Sequence, residues 1–313
     1  MGTPEFAVET LKALVENDYN VVAVVTQPDK PVGRHQTEMQ PSQVKQYALA
    51  HGLPVLQPEK MKDPEFVEQL RSYNANLQVV VAFRMLPEVV WAMPEYGTFN
   101  VHAALLPQYR GAAPINWAVI NGETQTGVTT FFLDHDIDTG RIILKKTFDI
   151  PDEADVEYVY DGLMHLGAEI CLETLEVIIA ANGHPDSIPQ DSVLDGSAIK
   201  PAPKIFKETC EIDWQKTAKQ VYDFVRGLSP YPGAWTTLVA PDGKETVLKI
   251  YKTRKTGKPG KGVGTIGIEG KALCVSAADE QLEIVELQLA GKKRMMARDF
   301  LNGMKQIEDY RVK

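Results

Sequence analysis

Hydrophobic and polar positions follow two different periods along the first hundred residues. Short β-branched runs are typical of buried parallel strands, and they occur at 21–27 (VVAVVTQ), 79–83 (VVVAF) and 98–102 (TFNVH). Between these runs the apolar residues recur at helical spacing, which predicts helices over 4–17, 42–52 and 64–74. Strands that alternate with helices predict an α/β domain, in which ligands bind at the carboxyl ends of the strands.

The pattern changes beyond the third of these strands. Residues 125–150 contain two β-rich runs that flank a turn, and a long helix is predicted after them, over 156–181. Residues 182–203 are rich in Pro, Ser, Asp and Gly and have no helical or strand period, which is typical of a linker. We therefore predict a first domain over 1–181, a linker over 182–203 and a second domain over 204–313.

The second domain has its own pattern. One helix is predicted at 214–227. Short β-type segments separated by glycine turns follow it, namely AWTTLVA, TVLKIYKT, GTIGIEG, ALCVSA and LEIVELQLA. About five such strands predict a small barrel of the oligonucleotide-binding (OB) kind.

Composition places the chain among ordinary globular proteins. It has 313 residues, of which 44% are hydrophobic and 24% are charged. No apolar window approaches the roughly 20 residues of a membrane span, and no charged-then-apolar leader opens the chain. The three scattered cysteines, Cys171, Cys210 and Cys274, match neither a disulfide framework nor a metal-ligand spacing. We expect a cytoplasmic protein that has no membrane segment.

The formal net charge of -9 is divided unevenly along the chain. Residues 201–313 hold 20 Lys and Arg against 14 Asp and Glu, whereas the first 200 residues hold 13 against 28. Two basic runs, 251–262 and 291–298, lie in the positive part, within the predicted barrel. They indicate contact with a phosphate backbone, and the alternative is a solvated surface.

An asparagine and a histidine interrupt the apolar run at 98–102. Asn100 and His102 are two residues apart, so on a strand they face the same side. A polar group that is buried without a partner costs about 1–3 kcal/mol, and the carboxyl end of a strand is where a cleft is expected. The pair is therefore a candidate for catalysis, and the alternative is a structural histidine that is hydrogen-bonded to a carbonyl.

The stretch LDHDIDTG at 133–140 concentrates three aspartates in one turn. A calcium loop would require a glycine at the position of Thr139 and a bidentate glutamate at the position of Lys145, so the sequence excludes this site. Two interpretations are left open. The turn is a solvated acidic loop, or one aspartate turns inward as a base or as the partner of a histidine.

Several longer stretches together resemble the methionyl-tRNA formyltransferase family. They run in that family's order over essentially the whole chain: MGTPEFAV, TQPDKPVGR, FNVHAALLPQYRGAAPI, IDTG, EIDWQKTAKQVYDFVRGLSPYPGAW and LQLAGKKRMMARDFLNG. The Asn-x-His, Leu-Leu-Pro and Asp-x-Gly elements are shared by folate-dependent formyltransferases, so they point to the chemistry. The C-terminal stretches are narrower and point to the tRNA enzyme.

The resemblance implies a fold, a reaction and a set of residues. The fold is a Rossmann-like formyltransferase domain with a mostly parallel sheet, followed by a C-terminal OB-like barrel that helps to hold tRNA. The reaction transfers a formyl group from 10-formyl-tetrahydrofolate, without a metal, to the α-amino group of methionine on initiator tRNA, in a protein expected to be a monomer. The implied catalytic residues are Asn100, His102 and Asp138, and the implied folate-binding segment is Ala104, Leu105, Leu106 and Pro107.

In this interpretation Asn100 and a protonated His102 donate hydrogen bonds to the oxygen that becomes negatively charged during acyl transfer. Asp138 holds His102, raises its basicity and helps to take the proton from the attacking amine.

Three features depart from the family pattern. The family has a hydrophobic strand before MGTPEF, and here that stretch begins at Met1, so we expect unpaired neighbouring strands and a weakened core. The loop after Gly33-Arg34 reads HQTEMQPS and contains Glu38 but no lysine, although this loop is usually basic and reaches the tRNA acceptor end. Ala104 replaces a serine.

Two other functions are compatible with parts of the sequence. A sugar-nucleotide N-formyltransferase would share the same catalytic residues but would have no evident use for the basic C-terminal barrel. An RNA-binding protein with an inactive formyltransferase domain is suggested by the missing strand.

Overall fold

The computed structural model describes residues 1–32, 38–194, 196–304 and 306–313. Two compact units share these residues. The first consists of Met1–Gly111, Gln125–Asp149 and Tyr160–Pro201. The second consists of Ala112–Thr124, Ile150–Val159 and Ala202–Lys313. The division into three consecutive segments stays a prediction, and the structure adds that the second unit includes two short pieces from the N-terminal half.

The helices predicted from the periodicity are present. Helices α1 to α8 span Glu5–Glu16, Gln43–Ala50, Pro64–Ser72, Glu88–Trp91, Pro114–Ile120, Val156–Ala180, Ala218–Gly227 and Ala297–Gly303. Side-chain caps mark the starts of α2 and α3. The Ser42 side chain accepts a hydrogen bond from the Lys45 N–H at the start of α2, and Asp63 caps α3, whose first residue is a proline.

The first unit is built on a sheet that is parallel on one side. Strands β1 to β8 span Val24–Val25, Lys30–Val32, Glu38–Gln40, Val55–Leu56, Gln78–Val81, Thr98–His102, Gln125–Phe132 and Ile142–Asp149. Strand β1 pairs with β4 and β5 pairs with β6 in parallel, whereas β6, β7 and β8 pair in the antiparallel sense. Strands β2 and β3 form a separate antiparallel pair. This arrangement is the Rossmann-like fold that the sequence predicts.

Next to Met1, the sheet of the first unit has few residues in regular strands. Of the run predicted as a strand at 21–27, only β1 at Val24–Val25 is a regular strand. Met1 and Gly2 lie between β1 and β5: the Gly2 N–H donates to the Val25 carbonyl at 3.0 Å, and the Val81 N–H donates to the Met1 carbonyl at 2.9 Å. Two residues thus occupy the position of a central strand.

A cavity of about 600 Å³ continues from Met1 between the same strands. Its walls are mostly apolar and include Leu11 and Leu14 of α1, Ala23 beside β1 and Leu175 of α6. The Met1 amine donates to the Val79 carbonyl at 2.7 Å. Burial lowers the pKa of this amine from 8.0 to about 6.

Helix α7 of the second unit starts four residues later than the prediction of 214–227. Thr217 forms a capping box with Gln220, in which each side chain bonds the other residue's backbone N–H, and this fixes the helix start at Ala218. The residues just before it form a turn instead of helix, in which the Lys216 N–H donates to the Asp213 carbonyl at 3.2 Å.

The strands of the second unit form a curled antiparallel sheet. Strands β9 to β15 span Ala234–Val239, Glu245–Pro259, Ile266–Glu269, Ala272–Ser276, Glu280–Leu289, Met295–Met296 and Arg311–Val312. The pairing order is β11-β12-β13-β10-β9-β15, and β14 pairs with β13. A bridge between Thr265 and Arg311 joins the two ends of this order, so the sheet closes as an OB-like barrel. The five predicted strands are confirmed.

Polar contacts explain why two early segments belong to the second unit. The Asn116 side chain on α5 donates to the Gly227 carbonyl at 2.9 Å, and the Tyr222 hydroxyl donates to the Asp152 carbonyl at 2.9 Å. The Arg226 guanidinium, which is buried, bonds the Ala154 carbonyl. Both segments therefore pack around α7.

In the part of the chain that the structure describes, no helix is both long and apolar enough to cross a membrane. Cys171, Cys210 and Cys274 are free thiols and are buried. Burial raises the pKa of the Cys171 thiol to about 12, so this residue is an inert core residue.

Candidate active site

Asn100 and His102 lie on β6, which ends at His102 as predicted. Because side chains alternate along a strand, both face the same side of the sheet. The Asn100 Oδ1 atom is buried and has no hydrogen-bond partner among the described residues. Such an atom costs about 1–3 kcal/mol, a cost that proteins tolerate mainly at functional sites.

His102 is held by a backbone carbonyl. Its ring is buried, and Nε2 lies 2.9 Å from the carbonyl oxygen of Tyr109. A carbonyl can only accept a hydrogen bond, so Nε2 carries the proton and the neutral ring has its lone pair on Nδ1. His102 therefore has the hydrogen bond to a backbone carbonyl that the sequence left open as an alternative. This bond uses Nε2 and leaves Nδ1 available for catalysis.

Asp138 is the aspartate of the 133–140 turn that points inward. Its Oδ2 atom lies 3.9 Å from His102 Nδ1 and accepts a hydrogen bond of 2.9 Å from the backbone N–H of Gly111. The distance to the ring is that of an ion pair but is longer than a hydrogen bond. The structure therefore brings Asp138 and His102 together at the end of β6.

The rest of this turn is satisfied locally. Asp134 Oδ1 accepts hydrogen bonds from the Asp136 backbone N–H at 3.2 Å and from the Thr139 hydroxyl at 2.7 Å. Among the residues placed by the structure, no cluster of three or more His, Cys, Asp or Glu side chains is arranged to hold a metal ion. The Asp138 carboxylate thus points toward His102 and Gly111, whereas the Asp134 carboxylate is hydrogen-bonded within its own turn.

The segment Ala104–Pro107 follows His102 directly and is fixed through its backbone. The Thr129 hydroxyl donates to the Ala104 carbonyl at 2.6 Å and accepts from the Leu106 N–H at 3.1 Å. Lys145 Nζ donates to the Leu106 carbonyl, and the Leu106–Pro107 peptide is cis. Burial lowers the pKa of the Lys145 ammonium below its usual value. A rigid segment therefore adjoins the candidate catalytic residues.

Several residues around the site were not identified from the sequence. Thr129 and Lys145 are polar residues within β7 and β8, and a search for polar interruptions in the strands would have found them. Gln190 lies in the predicted linker, and nothing in its neighbourhood distinguishes it. It is nevertheless buried and contacts the Asp138 turn.

The two basic runs of the barrel are mostly neutralised by acidic side chains. Arg254, Lys255, Lys258, Lys261, Arg294 and Arg298 each lie within ion-pair distance of a carboxylate. Hydrogen bonds from Lys261 and Lys258 hold the pKa of Glu269 at about 2. Lys252, Lys292 and Lys293 are exposed and have no ion pair within the described part of the chain. Among the cations of the two basic runs, these three lysines are therefore the ones that we expect to contact phosphates.

One other predicted feature is described only in part. Residues 35–37 of the non-basic loop after Gly33-Arg34 lie outside the described residues, whereas its remainder includes β3 at Glu38–Gln40, which pairs with β2.

Comparison with known families covers most of the chain. Residues 1–175 match the family described as formyl transferase, and residues 204–305 match the formyl transferase C-terminal domain. The chain belongs to the formyltransferase family, as the resemblance predicts.

Curated relatives narrow the comparison to one kind of formyltransferase. A protein of Parabacteroides distasonis named methionyl-tRNA formyltransferase is 59% identical over 317 residues, covering 100% of this chain and 97% of the relative. A protein of Bacteroides fragilis with the same name is 55% identical over 315 residues, covering 100% of this chain and 96% of the relative.

Solved structures of more distant proteins share the fold. The sugar 3N-formyltransferase WlaRD, crystallised with dTDP and 5-N-formyl-THF, aligns with a TM-score of 0.63 at 18% identity over 93% of this chain and 97% of WlaRD. HypX from Aquifex aeolicus in complex with tetrahydrofolic acid aligns with a TM-score of 0.55 at 22% identity over 81% of this chain and 43% of HypX. At these identities the likeness concerns the fold alone.

Proposed function

We propose that this chain transfers the formyl group of 10-formyl-tetrahydrofolate to the α-amino group of methionine on initiator methionyl-tRNA. The full-length similarity to proteins named methionyl-tRNA formyltransferase supports this assignment. The observation that best supports this chemistry is the 3.9 Å distance between Asp138 Oδ2 and His102 Nδ1. His102 lies on the same strand as Asn100, whose Oδ1 atom is buried and has no hydrogen-bond partner among the described residues.

Asn100 stabilises the charge that develops on the formyl oxygen. When the amine adds to the formyl carbon, a C–N bond forms and the carbonyl electron pair moves to oxygen. The Asn100 Nδ2 group donates a hydrogen bond to this oxygen, and such a donor contributes about 3–4 kcal/mol to lowering the barrier. The donor is pre-oriented because Asn100 lies inside a paired strand, opposite Val80 and Phe131.

His102 and Asp138 move the proton. The role that the resemblance implies for His102, as a protonated donor to the formyl oxygen, is replaced in this proposal by a role as base. Nε2 donates to the Tyr109 carbonyl, so Nδ1 is the ring nitrogen that accepts a proton from the attacking amine. The Asp138 carboxylate stabilises the resulting imidazolium. The same proton then passes to the departing nitrogen as its bond to the formyl carbon breaks, so no proton is gained or lost. Positioned acid–base catalysis of this kind contributes about 10²–10⁴-fold.

The segment Ala104–Pro107 is the proposed folate-binding element, and the folate supplies the activated formyl group when it is bound. The carbonyls of Ala104 and Leu106 are already hydrogen-bonded to Thr129 and Lys145. Contact with the co-substrate therefore falls to Leu105 and to the remaining backbone groups.

The tRNA partner is assigned to the second unit. Lys252, Lys292 and Lys293 are the cations of the basic runs that are available for phosphate contacts. A monomer acting in the cytoplasm completes the proposal.

The direct test is a transfer assay with labelled 10-formyl-tetrahydrofolate and two acceptors, initiator methionyl-tRNA and a dTDP-linked amino sugar. We expect labelled N-formylmethionine on the tRNA and no formylated sugar. A formylated sugar without a formylated tRNA would support a sugar-nucleotide enzyme. Binding of tRNA with no transfer to either acceptor would support an RNA-binding protein with an inactive formyltransferase domain.

A further inference from the structure

Gln190 is a buried amide whose hydrogen-bonding capacity is fully used. It is 3% exposed and begins a short 3₁₀ turn, Gln190–Val193, inside the predicted linker. Its Nε2 group donates to the carbonyls of Asp138 at 2.8 Å and Gly140 at 2.9 Å. Its Oε1 atom accepts from Arg110 Nε at 3.0 Å and Nη2 at 2.7 Å. An amide offers two donors and a carbonyl oxygen with two lone pairs, so all four positions have partners.

These partners belong to the two turns that build the site. One turn carries the Asp138 carboxylate. The other turn, at Tyr109–Gly111, holds His102 through the Tyr109 carbonyl and Asp138 through the Gly111 N–H. Gln190 is hydrogen-bonded to both turns and so sets the position of one relative to the other.

Both turns adopt backbone conformations that need support. Asp138 has φ of 55° and Tyr109 has φ of 60°, in the left-handed region that costs non-glycine residues about 1–2 kcal/mol. Such conformations persist only when the surrounding structure holds them. The hydrogen bond from Gln190 to the Asp138 carbonyl acts directly on one of the strained residues.

We infer that Gln190 is a positioning residue for the His102–Asp138 pair. The inference rests on the proposed function of that pair. Only an amide fits these three partner groups, because two of them are carbonyls and the third is a cation that donates two hydrogen bonds. A glutamate would keep the Arg110 contact but would direct a second oxygen at the carbonyls of Asp138 and Gly140. A leucine would leave both carbonyls and the guanidinium without this partner.

The test compares Gln190→Leu with a matched variant, Arg141→Leu. Arg141 is exposed and also connects the 138–141 region to the linker, through the side chain and backbone of Ser187, but among the described residues its side chain has no hydrogen bond or ion pair to Asp138. We expect Gln190→Leu to lower kcat for formyl transfer by about 10–100-fold while KM for the folate stays within about twofold, because misplacement of catalytic groups acts on the chemical step. Arg141→Leu should keep both values near those of the wild type.

A second variant separates positioning from packing. Gln190→Glu preserves side-chain volume and the contact with Arg110, and we expect it to lower kcat as well. Both variants are assayed well below their thermal midpoints. A wild-type kcat in Gln190→Glu, or equal kcat values in Gln190→Leu and Arg141→Leu, would overturn the inference and leave Gln190 a packing residue.

His102→Ala is assayed in parallel so that the two hypotheses can fail separately. If His102→Ala retains the wild-type rate, the proposed function of the pair is wrong. If His102→Ala is inactive and both Gln190 variants are fully active, only the role of Gln190 is wrong.

Discussion

The candidate site at the end of β6 in the first unit and the barrel of the second unit differ in how completely their polar groups are paired. At the end of β6 the Asn100 Oδ1 atom is buried without a partner, and the carboxylate of Asp138 stops 3.9 Å from His102. In the barrel the sheet closes through the Thr265–Arg311 bridge, and most cations of the basic runs have carboxylate partners. Incomplete pairing is costly in a folded protein, so its location indicates where a substrate supplies the missing partner.

The two sheets also differ in how continuously their strands are paired. The barrel has a continuous order of paired strands, whereas two residues, Met1 and Gly2, join β1 to β5 in the first unit. Among the described residues, the strands of the second unit are therefore the more continuously paired.

The largest expected effect on kcat in this comparison is that of replacing Asn100. Asn100→Leu removes both the proposed oxygen donor and the unpaired Oδ1 atom. We expect kcat to fall by about 10²–10³-fold. The free energy of unfolding should stay the same or rise by up to about 1 kcal/mol, because a buried unpaired group is lost. Formylation kinetics and urea denaturation measure the two effects.

Asn116→Leu in the second unit is the matched control. It removes a side chain that donates a hydrogen bond to the Gly227 carbonyl. We expect it to lower the free energy of unfolding by about 1 kcal/mol and to leave kcat near the wild-type value. If Asn100→Leu destabilises the protein as much as Asn116→Leu and remains active, the contrast between the two regions does not hold.

In protein that is prepared with Met1 as its first residue and with a free amine, burial of this amine predicts a pH dependence of stability. Its pKa is about 6 in the folded chain against 8.0 for an ordinary amine, so between these pH values the unfolded chain binds more protons than the folded chain. Stability therefore falls as the pH decreases from 8 to 6, by about 2–3 kcal/mol in total from this group. Urea unfolding between pH 5.5 and 8.5 measures it (about one unit beyond each pKa), on protein whose mass shows a free Met1 amine.

A variant with about four apolar residues joined ahead of Met1 provides the control. The added peptide bond removes the charged amine, and the added strand can bond the backbone of β1 and β5 at about 3.3 Å per residue along the cavity. We expect higher stability and loss of this part of the pH dependence. An unchanged pH dependence would show that another group causes it.

The smallest expected effect concerns tRNA binding. The triple variant Lys252→Gln, Lys292→Gln and Lys293→Gln should weaken tRNA binding several-fold and reduce the slope of log Kd against log salt. The double variant Lys258→Gln and Lys261→Gln removes cations that are paired with Glu269, so it should change the slope less per cation. A larger change in the double variant would place the tRNA surface elsewhere.

Sequence patterns were sufficient for the elements that bury one continuous face. The helices at 64–74 and 156–181, the strand at 98–102 and the five barrel strands are present within a few residues of their predicted ends. The run at 21–27 was less well predicted, since only two of its residues are in a regular strand. Regular pairing depends on neighbours on both sides, and a local pattern does not contain that information.

The candidate site was predictable in part for a similar reason. Asn100 and His102 were visible because polar residues interrupt an apolar strand. Asp138 could be selected among three aspartates only through the family resemblance, because its orientation depends on the Gly111 N–H, 27 residues away. Gln190 has no local signal, because its role depends on partners that are 50 to 80 residues away along the chain.

The most direct test of the account is a double-mutant cycle on His102 and Asp138. We expect His102→Ala and Asp138→Asn each to lower kcat for formylation of initiator methionyl-tRNA by at least about 100-fold, with tRNA affinity little changed. His135→Ala, at an exposed histidine in the same turn as Asp138, should retain the wild-type rate. If the pair acts as one unit, the double variant will be about as slow as the slower single variant. A double variant whose loss equals the product of the two single losses, or a single variant with a wild-type rate, would contradict the account.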